Sequence, residues 1–100
     1  MESRTVRSIL QWCKTQGIWA TKMHGSIYST GGMPDLLLLV PTERWPIPVF
    51  LECKEPYHYA RPLQRKRLED LRQAGAYVAV VHSLAEAQKF IEETKILTSI

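Results

Sequence analysis

Two carboxylates and one amine stand at the ends of apolar runs: Asp35 directly before Leu36 to Val40, and Glu52 and Lys54 on either side of Cys53. Side chains on a strand alternate in direction, so Glu52 and Lys54 share one face while Cys53 takes the other. If the two runs form a hairpin that pairs Val40 with Val49, Leu37 falls opposite Glu52 and Asp35 opposite Lys54, with a bulge shifting this slightly. A desolvated carboxylate is costly unless it is paired or bound to a cation. Two of them within a few ångströms form a seat for Mg²⁺ or Mn²⁺, hard ions that take oxygen ligands and keep several waters. Such an ion polarises a phosphodiester and acidifies an attacking water. Lys54 beside it would orient that water or stabilise charge developing on the phosphate. Spacing alone fits equally well an exposed Glu52–Lys54 pair near a hairpin end.

Those residues must be placed by elements that the rest of the sequence marks out. Val6, Ile9, Leu10 and Cys13 follow helical spacing and Gly17 suits a left-handed cap, predicting a helix from Ser3 to Gln16. Ile18 to Met23 reads as a strand, followed by a loop rich in turn formers through Gly31-Gly32. Leu36 to Val40 and Val49 to Cys53 read as an antiparallel hairpin. Between them, three prolines from Pro41 to Pro48 exclude regular structure. Pro62 suits the first turn of a second helix with Leu68 and Leu71 facing the core until Gly75, and Tyr77 to Val81 reads as a buried strand. Ser83-Leu84-Ala85-Glu86 fits a capping box opening a last helix whose apolar face is Ala87, Phe90 and Ile91. The predicted order is αβββαβα, an α/β fold with a mixed β-sheet flanked by helices.

The totals bound what this can be. One hundred residues are expected to form a single domain over 1–100 with one modest core. With 45% apolar and 23% charged residues the composition is globular. Apolar runs such as Leu36 to Val40 fall far short of the roughly 20 residues of a membrane span, and Met1-Glu2-Ser3-Arg4 leads into no secretory segment. The expected location is the cytoplasm. Cys13 and Cys53, with no C-x-x-C pair, read as buried free thiols. A net charge of +3 and a pI near 9.0 are compatible with a polyanionic partner, and the cations concentrate at Arg61, Arg65, Lys66, Arg67 and Arg72.

Met33-Pro34-Asp35-Leu36, then Phe50-Leu51-Glu52-Cys53-Lys54, then Gln64 ahead of Leu71 and Gly75, resembles the PD-(D/E)XK nuclease superfamily, and more narrowly its VRR-NUC branch. The resemblance covers about Gly31 to Val81, with the first helix also in place. It implies a restriction-endonuclease-like fold and a metal-dependent endonuclease acting on DNA, with Mg²⁺ or Mn²⁺ held by Asp35, Glu52 and the Cys53 backbone carbonyl. Lys54 becomes the catalytic lysine and Gln64 the glutamine of the following helix. Glu2 resembles the acidic residue that the branch often places on its first helix near the metal. Similarity to small standalone members, which occur in phages, implies a homodimer acting on branched DNA such as Holliday junctions, in a host cytoplasm if phage-encoded. Nucleases of other specificity, processing flaps, nicks or ends, and a non-catalytic DNA-binding module remain the alternatives.

Several residues carry a second reading. Gln64 lies four residues before Leu68 and seven before Leu71, which puts its amide on the sheet-facing side; a core-edge glutamine satisfied by backbone fits the same spacing. Glu2 also suits a helix N-terminus, where a negative charge contributes about 0.3–1 kcal/mol. Arg61 stands where the family usually caps with serine or threonine. With Arg65, Lys66 and Arg72 it is a candidate for contacting the DNA backbone, unless the stripe is only a solvated face. Gly31-Gly32 would admit a phosphate or simply form a tight loop. Trp12, Trp19 and Trp45 suit packing in the core or at an interface. His24, His58 and His82 match no zinc spacing; His82 reads as structural, while His24 and His58 flank the proposed site.

Overall fold

A computed structural model describes residues 3–23 and 31–98. Ser3 is extended, and its Oγ accepts the Val6 N–H at 3.1 Å, satisfying one donor that a helix start leaves unpaired. Helix α1 therefore occupies Arg4–Gln16, with Ser3 as its cap rather than its first residue. Gly17 closes it at φ 68°, a left-handed conformation that costs glycine nothing. Then follow β1 (Trp19–Lys22), β2 (Leu36–Val40), β3 (Ile47–Cys53), α2 (Pro62–Gln73), β4 (Tyr77–Val81) and α3 (Leu84–Thr98), the order expected from the sequence.

The strands form one mixed sheet in the order β1-β2-β3-β4. β1 with β2 and β2 with β3 are antiparallel, whereas β3 and β4 are parallel. A parallel pair needs a crossover, and α2 supplies it. The hairpin register differs from the expected one by two residues: Val40 pairs with Ile47 and Leu36 with Leu51. Thr42 is the cause. Its Oγ1 accepts the N–H groups of Arg44 and Trp45, both at 3.2 Å, and donates to the Trp45 carbonyl at 2.7 Å, so the turn closes early and the strand resumes at Ile47. Pro48 thus lies inside β3, in the part that pairs only with β2; pairing with β4 starts at Val49, so β4 requires no N–H from the proline. A slip of two keeps every side chain on its expected face.

Alternation then divides the sheet into two faces. Leu36, Leu38, Val40, Val49, Leu51 and Val81 point into the main core, which Val6, Ile9 and Cys13 of α1 and Ala87 and Ile91 of α3 complete. Leu36, Leu38, Val49 and Leu51 are wholly buried, each contributing about 1.5–3 kcal/mol. Glu52 and Val80, paired across β3 and β4, face the other way, toward the side that α2 covers. There Leu68 and Val78 are buried outside the main core.

Helix α3 opens with half of the expected capping box. Ser83 Oγ accepts the Glu86 N–H at 3.1 Å, but Glu86 Oε1 accepts from the His82 N–H at 2.9 Å instead of returning to Ser83. The imidazole of His82 lies beside the same oxygen, which draws the carboxylate one residue further back. Among the described residues no helix is long and apolar enough to cross a membrane.

Candidate active site

Continuing the β2–β3 register by one residue brings Asp35 level with Glu52, not with Lys54 as first expected. Asp35 Oδ2 accepts the Cys53 N–H at 2.8 Å, so the aspartate fastens the end of β2 to the end of β3. This bond occupies one carboxylate oxygen. Lys54 N–H donates to the Val81 carbonyl at 3.0 Å, prolonging the parallel ladder to the lysine and fixing where its side chain emerges.

Glu52 is the buried member of the group, with 3% of its side chain exposed. Its Oε2 takes two donors: the Gln64 amide nitrogen at 2.7 Å and the Lys54 ammonium at 3.1 Å. Its Oε1 is buried and has no partner among the described residues. Burial raises the pKa of this carboxyl, the neighbouring charge of Asp35 raises it further, and Lys54 opposes both. A buried carboxylate oxygen without a donor costs free energy, and here it sits within reach of a second carboxylate.

A divalent cation fits that arrangement. Glu52 Oε1 is the one oxygen of its carboxylate that protein donors leave open, and Asp35 supplies a second hard ligand. Among the described residues no group of three or more His, Cys, Asp or Glu side chains converges. Mg²⁺ needs no such cage, because it keeps several waters and takes one or two carboxylates. The Cys53 side chain is unsuited to the role. Burial, then the charges of Asp35 and Glu52, push its thiol up to about 12, so it stays protonated at neutral pH. Cys13 is likewise free and raised to about 11 by burial; Cys53 is only half-buried, where full burial was expected.

Gln64 occupies the third position of α2, and both ends of its amide are used. Oε1 accepts the Arg61 N–H at 3.0 Å and Nε2 donates to Glu52. Backbone satisfies one end of this side chain and the Glu52 carboxylate the other. The reciprocal bond from Gln64 to Arg61 also supplies part of the cap that arginine, lacking an acceptor, cannot give.

The basic stripe divides. Lys66 pairs with Asp70 at 3.6 Å, and Arg72 with Glu69 at 3.4 Å and the Val78 carbonyl at 3.3 Å. Arg61 and Arg65 are exposed. Arg67, named in the sequence only as one of the cations, turns back toward the site: its Nε donates to the Gly31 carbonyl at 2.9 Å and its Nη1 contacts Asp70 at 3.0 Å. Its partner lies 36 residues earlier in the chain, so no local spacing marked it. Gly32, at φ 79°, lets this helix approach: a Cβ there would lie 2.9 Å from the Leu63 carbonyl oxygen. The glycine pair thus serves packing of the loop that leads to Asp35.

His82 is structural, as expected, with Nδ1 3.1 Å from Glu86 Oε1 and Nε2 3.1 Å from the His58 carbonyl. Trp12 packs against the core, whereas Trp19 and Trp45 are exposed. Glu2 and His24 lie outside the described residues.

A mixed sheet that sets an aspartate, a glutamate and a lysine at the ends of its two inner strands, with a crossover helix over them, has the architecture of a nuclease domain. The chain belongs to the VRR-NUC domain family, whose model matches residues 7–85. A solved structure described as a VRR_NUC domain is 29% identical, with a TM-score of 0.73 over 89% of this chain and 91% of that one. A second, described as a VRR_NUC domain protein, is 18% identical and shares the fold, with a TM-score of 0.66 over 93% of this chain and 89% of that one. No curated protein matches the chain. The family is one of nucleases, and this chain carries its domain.

Proposed function

We propose that the chain is an endonuclease that hydrolyses DNA phosphodiester bonds with Mg²⁺ or Mn²⁺ held by Asp35, Glu52 and the Cys53 backbone carbonyl. The observation that carries this reading is the buried, partnerless Oε1 of Glu52 beside the Asp35 carboxylate. When bound, the ion would supply polarisation of the phosphodiester and acidification of the attacking water. The chain's own residues supply the rest. Gln64 and Lys54 occupy Glu52 Oε2 and so leave the buried Oε1 as the atom available to the ion. Asp35 keeps β2 and β3 in register while offering its second oxygen. Lys54, 19% exposed, places its ammonium where it can both pair with Glu52 and face negative charge growing on the phosphate. Arg61 at the N-cap and Arg65 within the helix that carries Gln64, both exposed, suit the phosphate backbone. Lys66 and Arg72 would exchange their carboxylate partners for phosphate to join them.

The substrate favoured is branched DNA such as a Holliday junction, cut by a homodimer. Resolving a junction takes two symmetric incisions, and one copy of this chain presents one site. The deciding experiment is cleavage of a labelled four-way junction and a matched linear duplex in Mg²⁺ or Mn²⁺. Faster junction cleavage supports the reading; equal rates, or a preference for flaps, nicks or ends, would replace it with another specificity. Glu2 is assigned a supporting carboxylate near the ion, and unchanged turnover in Glu2→Gln would return it to helix capping.

A further inference from the structure

Two tyrosines on the loop between Lys54 and α2 are the most exposed of the large hydrophobic side chains among the described residues: Tyr57 at 92% and Tyr59 at 81%. Large aromatic rings held fully in water are unfavourable unless something covers them. The backbone at Tyr57 is also unusual, with φ at 69°, the one non-glycine residue of positive φ among those described. A bulky residue in that region is strained, and strain of this kind persists where surrounding contacts enforce it. The enforcing contacts are present. His58 N–H donates to the Glu55 carbonyl at 3.0 Å, closing a tight turn, and the His58 carbonyl is held by His82, itself anchored by Glu86. The loop is therefore a braced element that displays its rings, not a slack connection.

Its position joins it to the site. Tyr57 follows Lys54 by three residues, and Gln64 follows Tyr59 by five. Below Tyr59 opens a cleft of about 540 Å³, lined among others by Arg65, Arg72 and His82 with Glu69 as the single acid. Val80 on its floor pairs across the sheet with Glu52, so the cleft and the carboxylates lie on one face. An aromatic ring at a basic cleft, with a second exposed ring two residues before it, matches the chemistry of a single nucleic-acid strand, whose bases stack while its phosphates meet cations.

We propose that Tyr57 and Tyr59 form a stacking platform for unpaired bases of the substrate, with Arg65 taking a phosphate of the same strand. The proposal rests on the reading of the chain as a DNA nuclease and assigns the residues that select DNA with exposed bases. Stacking is a property of the ring and is insensitive to sequence, so the platform discriminates by DNA shape.

The test uses DNA carrying 2-aminopurine at an unpaired position beside a branch, with fluorescence and binding measured in chelator. The wild-type chain should quench the probe. Tyr57→Phe and Tyr59→Phe should quench equally, because the ring remains. Tyr57→Ala and Tyr59→Ala should each bind roughly ten-fold more weakly, with quenching lost in the double variant and binding to fully paired duplex unchanged. Quenching that survives in the double variant, or none in the wild type, overturns the proposal. So does loss of binding that accompanies a change of association state in sedimentation, which would make the rings a contact between copies. No cleavage enters this measurement, so failure of the nuclease reading would show separately, as quenching without incision in Mg²⁺.

Discussion

Gln64 Nε2 lies 2.7 Å from Glu52 Oε2, while the other end of the same amide is fixed by the Arg61 N–H at 3.0 Å. The amide therefore has one orientation, and it commits one glutamate oxygen while leaving the other free. Gln64→Ala should release Oε2 and blur that division. Loss of such a supporting partner typically costs 10–100-fold in metal affinity or activity, so the Mg²⁺ concentration for half-maximal cleavage should rise by about ten-fold or more. A metal titration unchanged in Gln64→Ala would show that the helix contact does not set the ligand geometry.

Asp35→Asn keeps an acceptor for the Cys53 N–H but removes the charge that raises the pKa of Glu52. In chelator its melting temperature should equal or exceed that of the wild type, since a like-charge contact is lost. Added Mg²⁺ should stabilise the wild type by mass action, by about 2.7 kcal/mol at a hundred times Kd, and so raise its melting temperature while leaving that of Asp35→Asn unmoved. Lys54→Ala should abolish incision while DNA binding stays measurable. Thermal scans with and without metal, run beside a cleavage assay, check all three.

Gly32→Ala meets two penalties. The backbone at φ 79° disfavours a Cβ, and that Cβ would lie 2.9 Å from the Leu63 carbonyl oxygen. The expected loss is about 2–4 kcal/mol, from the left-handed conformation and overpacking together. Arg67→Ala, which removes the bond to the Gly31 carbonyl and the solvent-facing ion pair with Asp70, should cost about 1 kcal/mol. Denaturant melts of both variants read these values, and a Gly32→Ala variant as stable as wild type would refute the close packing of α2 on this turn.

The brace under the tyrosine loop should respond to pH. A neutral imidazole donates from one nitrogen only, yet His82 faces an oxygen acceptor at each, so the protonated ring completes both bonds. Its pKa is accordingly raised from 6.5, first by the His58 carbonyl and then by Glu86, while His82 lowers that of Glu86 from 4.5. The cleft also presents Arg65, Arg72, Glu69 and Tyr59 to the ring. The histidine's contribution is fully present below 6.5 and is lost as pH rises through its raised value. The glutamate's contribution is present above 4.5 and is lost as pH falls through its lowered value. Protection of the His58 amide, its exchange measured relative to the intrinsic base-catalysed rate, should thus be greatest between these limits and fall on the alkaline side; His82→Ala should remove that change in protection.

Much of this architecture was legible from periodicity. The seven elements and the shared face of Glu52 and Lys54 follow from spacings of 3.6 and 2, which burial enforces along whole segments. The hairpin register was not legible, because it turned on one hydroxyl, Thr42, closing its loop two residues early. Nor was the partner of Glu86, since a capping box and a bond to the histidine one residue before it compete for the same carboxylate. Gln64 could be placed beside the sheet from Leu68 and Leu71, whereas the return of Arg67 to Gly31 joins positions 36 residues apart and left no local signature. Tyr57 and Tyr59 passed unremarked because exposure is invisible in a sequence with no periodic pattern around it.

The parallel pairing of β3 with β4 obliges the chain to leave the sheet straight after Lys54 and return over its face. The segment spanning that departure forms no rung of the ladder, so it can lengthen, shorten or change composition without disturbing the strands that carry the reacting groups. If the proposed site and platform hold, hydrolytic machinery and substrate choice would be separable along the chain, one written into strand ends and the other into the stretch next to them. Grafting a different sequence between Glu55 and Ala60 offers a direct route to retargeting the same chemistry.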